Sequence, residues 1–338
     1  MFDETAKAAM ESVYQKIYGR IVLAFSPNKI GAVNSPKKPI STKELMLKAF
    51  KAVKKNRGAA GIDRISIAMY ESNLTENLLS LMRELKQGLY QPKPLRRVHI
   101  PKGDGKTRPL GIPNVKCRVA QEVLRRLINP IFDYRFHDNS FGFRSGRNCH
   151  QAVERTLQLV EQGYRYIVDV DIKGFFDNIP HKLIMESIAA KIADGNILNT
   201  IERLLNSGVL EEGVIKPTTK GTPQGGVISP LLANAVLDHL DWYLENLKLH
   251  FVRYADDFVI LCETKPEAEK ALEKAQNFLK EMGLEMSPEK TKICRYSEGF
   301  NFLGFKIKTQ SVKMRDKSKE RFKESIRQIT TRSHNLGK

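Results

Sequence analysis

The chain has 338 residues, 41% of them hydrophobic, and a formal net charge of +18 at pH 7. That length is too great for one minimal core and predicts two or three subdomains. No apolar run reaches the ~20 residues of a membrane span, so a soluble protein without a membrane partner is expected. The charge argues against an enzyme of small neutral substrates and for a polyanionic partner, since each phosphate neutralised by Lys or Arg releases counterions.

Lysines retained for solubility are the alternative, but the basic residues cluster. Lys93, Arg96, Arg97, Lys102, Lys106 and Arg108 stand against Asp104 alone, and Lys306, Lys308, Lys313, Arg315, Lys317, Lys319, Arg321 and Lys323 form a second group. Met1-Phe2-Asp3-Glu4 lacks the basic-then-apolar order of a secretion signal. Cys117, Cys149, Cys262 and Cys294 lie far apart, with no CxxC pair and no His at zinc spacing, which predicts reduced thiols in a cytosolic protein.

In chain order, residues 6–24 predict a helix, and residues 26–39, rich in Pro, Gly, Asn and Ser, a linker or surface loop. Residues 41–55 carry Leu45, Leu47, Phe50 and Val53 at helical spacing and stop at Asn56-Arg57-Gly58. Residues 74–89 form a second amphipathic helix, with Leu78, Leu81, Leu85 and Leu89 along one side. A short strand over 96–100 is turned back by the loop 102–106. Helices follow over 115–131 and 151–162, then a strand over 166–171 and helices over 181–193 and 196–206. His181 is expected to cap or orient the helix it begins. Ser229-Pro230 opens a long helix to about residue 247. Thr264 and Glu267 form a capping box for a helix over 266–282, closed by Gly283. Strands over 292–296 and 302–308 and a helix over 317–330 complete the chain. Strands and helices mix without a regular βαβ alternation, which predicts an α+β fold.

Three segments carry chemistry. Tyr254-Ala255-Asp256-Asp257 lies between His250-Phe251-Val252-Arg253-Tyr254 and Phe258-Val259-Ile260-Leu261-Cys262, so a strand, a tight turn and a strand are expected. Two adjacent anions at a hairpin tip repel each other and make sense where a divalent cation neutralises them. In the strand 166–171, period two puts Ile167, Asp169 and Asp171 on one face. Beside the hairpin, Asp171 would complete a three-carboxylate cage; alternatively it caps a turn at Gly174. Gly221-Thr222-Pro223-Gln224-Gly225-Gly226-Val227-Ile228-Ser229-Pro230 is a glycine-rich loop running into a helix N-terminus, which suits close approach to a phosphate or sugar or is simply a capped loop. No Gly-Lys-Ser/Thr follows its glycines, so it is not a Walker loop.

These segments sit among Asn56-Arg57-Gly58-Ala59-Ala60-Gly61-Ile62-Asp63, Ile100-Pro101-Lys102, Arg108-Pro109-Leu110-Gly111-Ile112-Pro113, Ser140-Phe141-Gly142-Phe143-Arg144, Asp171-Ile172-Lys173-Gly174-Phe175-Phe176-Asp177, Glu289-Lys290-Thr291-Lys292 and Phe302-Leu303-Gly304-Phe305. In this order, from about Lys51 to Thr331, the blocks resemble the reverse transcriptases, and most nearly the group II intron-encoded proteins. The resemblance implies fingers and palm of a right-hand polymerase, with an antiparallel palm sheet packed on helices. Residues 1–45 would be a helical N-terminal extension and linker, 46–165 the fingers, 166–300 the palm with a helical insertion at about 180–215, and 301–338 the primer-grip hairpin and the start of a thumb. The chain ends inside that first thumb helix, which is the expectation for a fragment with a weakened grip on duplex.

The same resemblance implies the site. Asp171, Asp256 and Asp257 would be catalytic and, with the backbone carbonyl of Ile172, would ligate two Mg2+, with Mn2+ as a substitute. Lys102 and Arg108 would reach the triphosphate. Phe176 would exclude a ribose 2′-hydroxyl, unless it is a core ring like its neighbour Phe175. Gln224 and Gly225 would lie beside the nucleotide. Lys290 would protonate pyrophosphate, or else is a solvated lysine. Phe302, Leu303 and Gly304 would form the primer grip, although a buried hairpin explains them too. Arg118, Arg144 and Arg147 would contact template phosphates. The function implied is RNA-directed DNA polymerisation with dNTPs, an RNA template and a DNA primer. Binding and splicing of a group II intron RNA, as a maturase of a mobile element in the bacterial cytoplasm, would accompany it. A non-catalytic intron-RNA-binding maturase and a retron, diversity-generating or CRISPR-associated reverse transcriptase are the other readings.

Overall fold

The computed structural model describes residues 42–103, 106–211, 213–222, 225–309 and 311–330. The helix expected over 6–24, the linker after it, Gln224 and the last eight residues, 331–338, lie outside the described residues, as do the side chains of Lys102 and Arg108. The elements are α1 (Thr42–Lys55), α2 (Ile67–Glu71), α3 (Leu74–Lys86), β1 (Leu95–Gly103), β2 (Lys106–Ile112), α4 (Val115–Asp133), α5 (Cys149–Glu161), β3 (Tyr166–Asp171), α6 (Phe175–Asn178), α7 (His181–Ala189), α8 (Gly195–Leu205), β4 (Val209–Glu211), β5 (Val214–Lys216), α9 (Ser229–Asn246), β6 (His250–Tyr254), β7 (Asp257–Cys262), α10 (Lys265–Glu281), β8 (Lys292–Arg295), β9 (Phe300–Phe302), β10 (Phe305–Lys308), β11 (Ser311–Met314) and α11 (Asp316–Thr330). None of the described helices is long and apolar enough to cross a membrane.

The chain divides into two compact units. One holds the residues up to His137 together with Lys173–His239 and Met282–Leu284, and the other holds Asp138–Ile172, Leu240–Glu281 and the chain from Glu285 onward. In the first unit, α1 buries Leu45, Met46, Ala49, Phe50 and Val53, and α3 buries Leu78, Leu81 and Leu85, each a single apolar face at helical spacing. Caps set where helices begin. The Ser66 hydroxyl accepts the Met69 amide at 3.2 Å for α2, and the Asn114 side chain accepts the Cys117 amide at 2.7 Å for α4. The sheet of this unit runs β2-β1-β4-β5, with β1 antiparallel to β2 and parallel to β4.

The second unit is built on the sheet β6-β7-β3-β8, in which every neighbouring pair is antiparallel. Helix α5 packs on β6, and α10 packs on β3 and β7. Ile167, Val252, Val259 and Leu261 join Ala152, Val153, Leu159 and Val160 of α5 and Phe300, Phe302 and Ile307 in one buried cluster. Each buried Val, Leu, Ile or Phe of this cluster contributes roughly 1.5–3 kcal/mol of transfer free energy. The face carrying Ile167 also carries Asp169 and Asp171, so its apolar end is covered while its acidic end is only half-buried.

Several sequence expectations change. The strand expected over 302–308 is broken after Phe302, because Leu303 (φ +49°) and Gly304 (φ +85°) form a two-residue turn between β9 and β10, with Phe302 opposite Phe305. The helix expected over 181–193 ends at Ala189, and the strand expected over 96–100 extends over Leu95–Gly103. The short strands β4, β5 and β11 and the short helices α2 and α6 were not anticipated. The capping box of α10 forms as predicted, with the Glu267 amide donating to the Thr264 hydroxyl at 3.4 Å and the Glu267 carboxylate accepting the Thr264 amide at 3.3 Å.

Candidate active site

The hairpin turn expected at Tyr254–Asp257 is present: Tyr254 pairs with Asp257, leaving Ala255 and Asp256 as the two turn residues. Ala255 has φ +57°, a conformation that costs an L-residue roughly 1–2 kcal/mol and that glycine more often fills. β3 lies antiparallel to β7 with Asp171 directly opposite Asp257 and Asp169 opposite Val259. One strand end and one turn therefore bring Asp171, Asp256 and Asp257 to the same edge of the sheet.

The end of β3 is pinned from its other side. The Asp171 carbonyl accepts the Ser287 amide at 2.8 Å, and Ile172, which is buried, bridges Met286. This seats Lys290 on the Asp171 carboxylate, with its ammonium 2.8 and 3.0 Å from the two oxygens. One register step away, Asp169 faces Lys292 across β3 and β8, with their charged atoms 3.8 Å apart. Lys292 was not singled out in the sequence. The signal was present in the spacing, since lysines two apart, one in the turn before β8 and one at its start, meet aspartates two apart on β3.

Asp257 keeps an exposed face, but protein crowds its other sides. That desolvation, followed by repulsion from Asp256, Asp171 and Asp169, pushes its carboxyl up to about 6. Burial likewise pushes the Asp169 carboxyl up to about 6, against the pull of Lys292. Negative charge is thus concentrated beyond what the two lysines neutralise. An all-carboxylate set suits a hard divalent cation, so the residues fit such an ion. Among the described residues no three acidic, His or Cys side chains converge into a closed cage, and Lys290 supplies the charge on Asp171.

The first unit gathers several of the other predicted residues. Phe175 is buried and takes the core position, while Phe176, edge-on to it at 5.5 Å, is half-buried. The Thr222 amide donates to the Phe176 carbonyl at 2.8 Å, tying the glycine-rich loop to α6. His181 reinforces the tie, its Nε2 lying 2.9 Å from the Gly221 carbonyl, so it orients that loop as well as beginning its own helix. On the other side, Gly225 (φ +102°) lies so close to β2 that a Cβ there would come within 3.0 Å of the Gly111 carbonyl oxygen. Arg108 is on the same strand, paired with Ile100, and Lys102 is two residues beyond Ile100 on β1.

The proposed template arginines are committed to their own chain. Arg118 is only 7% exposed and donates to the Ala59 carbonyl at 2.7 Å, so it braces the Gly58–Ala59 backbone instead of facing solvent. Arg144 donates to the Ser140 carbonyl at 2.9 Å, and Arg147 to the Asp138 carboxylate at 2.8 Å while lying over the Phe141 ring. Of the expected primer grip, the Phe302 ring is in the core, and Leu303 and Gly304 form the tip of the β9–β10 turn.

Comparison with known proteins gives a consistent family. The profile of the family described as Reverse transcriptase (RNA-dependent DNA polymerase) matches residues 100–307. Protein YkfC of Escherichia coli K12 is 32% identical over 309 residues, covering 79% of this chain and 81% of that protein. The group II intron-encoded protein LtrA of Lactococcus lactis subsp. cremoris is 31% identical over 315 residues, covering 73% of this chain and 52% of LtrA. The putative COX1/OXI3 intron 1 protein of Saccharomyces cerevisiae is 30% identical over 292 residues, 70% of this chain and 35% of that protein. The chain thus spans about half or less of these intron proteins. A solved structure of telomerase from Candida tropicalis shares the fold, with a TM-score of 0.52 at 16% identity over 76% of this chain and 63% of that one.

Proposed function

Because the chain belongs to the reverse transcriptase (RNA-dependent DNA polymerase) family, on the branch of the group II intron-encoded proteins, we propose that its acidic hairpin site extends a primer 3′-hydroxyl with deoxynucleotides on an RNA template. The observation that carries this reading is the direct pairing of Asp171 with Asp257 beside Asp256 at a turn. Two Mg2+, or Mn2+ in their place, would lower the pKa of the 3′-hydroxyl and stabilise the leaving pyrophosphate.

This chain's residues divide the remaining work. Asp171, Asp256, Asp257 and the Ile172 carbonyl would hold the cations. Lys290, now on the Asp171 carboxylate, would leave it free when a cation is bound and would offer its ammonium proton to the departing pyrophosphate. Lys102 and Arg108 on the β1–β2 hairpin take the triphosphate charge. Phe176, with one side of its ring uncovered, excludes a ribose 2′-hydroxyl by bulk, and Gly225 and Gln224 line the nucleotide. Leu303 and Gly304 guide the primer end. In this reading residues 46–165 are fingers, 166–300 palm and 301–338 the primer-grip hairpin and first thumb helix. A group II intron RNA is the second proposed partner, supported by the likeness to LtrA, and the bacterial cytoplasm the proposed location.

Deoxynucleotide incorporation on poly(A) primed with oligo(dT) tests the activity. Incorporation that requires a divalent cation and favours dNTPs over rNTPs is expected. Tight RNA binding with no incorporation at any Mg2+ concentration would instead identify a non-catalytic RNA-binding protein.

A further inference from the structure

The tip of the β6–β7 hairpin is held by a buried assembly to which neither the family comparison nor the proposed chemistry gives a part. Arg253, the residue before Tyr254, is completely buried, as is its partner Asp241 on α9. The Arg253 Nε donates to one Asp241 oxygen at 2.7 Å, and a second guanidinium nitrogen donates to the other oxygen. The third nitrogen donates at 2.9 Å to the carbonyl of Ala255, the turn residue with positive φ. The main chain of Arg253 is fixed too. Its amide donates to the Asn139 carbonyl at 2.8 Å, and its carbonyl accepts the Phe141 amide at 2.9 Å, so residues 139–141 run beside β6 as an extra parallel segment. That segment delivers Gly142 against the turn, where a Cβ would fall 2.3 Å from the Ala255 nitrogen.

A buried ion pair alone is weak support for a fold, since apolar residues of equal volume serve as well or better. What such residues could not supply is the bond to Ala255. Asp241 fixes the plane of the guanidinium in a bidentate grip through Nε and one terminal nitrogen, which sets the direction of the other terminal nitrogen, and that nitrogen donates to the carbonyl just before Asp256. We propose that Arg253, locked by Asp241 and backed by Gly142, is a positioning residue that fixes the turn so that Asp256 and Asp257 present their carboxylates to divalent cations. This rests on the reading of those aspartates as cation ligands.

The test uses the full chain and Mn2+ as the probe, with binding followed by the loss of the free-ion electron paramagnetic resonance signal. Arg253→Lys keeps a buried charge opposite Asp241 but cannot reproduce the three-way fork. The pair Arg253→Met with Asp241→Leu keeps the volume and removes both the ion pair and the Ala255 bond. Both are expected to keep native circular dichroism while the Mn2+ dissociation constant rises about tenfold or more, as for outer-shell residues elsewhere. In primer extension kcat is expected to fall by roughly 10–100-fold with the dNTP KM changed less than about twofold. Mn2+ affinity within about twofold of wild type in the Met/Leu pair would show that Arg253 and Asp241 only fill the core, and would overturn the proposal. If that pair does not fold, Arg253→Lys decides by the same criterion. Wild-type protein that binds Mn2+ but never extends a primer would defeat the polymerase reading and leave the positioning proposal to the Mn2+ arm. Wild-type protein that binds no Mn2+ would overturn both.

Discussion

At the scale of single residues, the acidic edge of the β6-β7-β3-β8 sheet is a problem in charge. Asp257 and Asp169 both hold protons more tightly than ordinary aspartates, because burial and neighbouring carboxylates disfavour their ionised forms. Lys290 and Lys292 relieve only part of this. The sign of the linkage follows. A carboxyl whose folded value is raised stabilises the fold below the usual carboxylate range, and that contribution is lost as pH rises through about 6. In EDTA the chain is therefore expected to lose stability between about pH 4 and 6.5, and Asp257→Asn to flatten that slope. With solvent screening at the exposed face, the gain at pH 7 should be about 1 kcal/mol, or a few degrees in Tm. Thermal unfolding in EDTA and in excess Mg2+ checks this. An Asn variant that melts below wild type in EDTA at pH 7 would contradict the charge account.

At the scale of elements, legibility followed locality. The β6–β7 hairpin, β3 and the cap of α10 were readable because alternation and capping are written in adjacent residues. The strands β4 and β5 have three residues each, and β4 earns its place by pairing with β1 more than a hundred positions earlier, which no local pattern announces. The segment 302–308 misled because Phe302, Phe305 and Ile307 look like one strand, while the turn within it depends on the φ of Leu303 and Gly304. That turn makes its own prediction. A Cβ at Gly304 would meet only the Ser318 hydroxyl oxygen, at 3.4 Å, so Gly304→Ala should cost backbone strain and little else. About 1 kcal/mol is expected, seen as a Tm lower by about 2–4 °C. An unchanged Tm would mean that the β9–β10 turn does not need the left-handed backbone described.

At the scale of the whole molecule, charge and carboxylates tell complementary parts of the story. A net +18 indicates a polyanion, and the family membership makes nucleic acid its natural identity. The three aspartates stood out in the sequence because acids at a strand end and a hairpin turn lie where no core would put them. The Arg253–Asp241 pair was not, since nothing in the helical sequence around Asp241 says which side chain its carboxylate meets. Arg118 misled in the opposite direction, because a basic residue in a basic protein looks like a phosphate contact until its burial is known. The most direct test of the central claim is primer extension on poly(A)/oligo(dT) by wild type and by the double variant Asp256→Ala with Asp257→Ala, with RNA binding measured in the same salt. RNA binding is expected to be retained while incorporation falls by at least about 10³-fold, the loss of several kcal/mol of cation-borne transition-state stabilisation. Incorporation by the double variant at the wild-type rate would contradict the central claim.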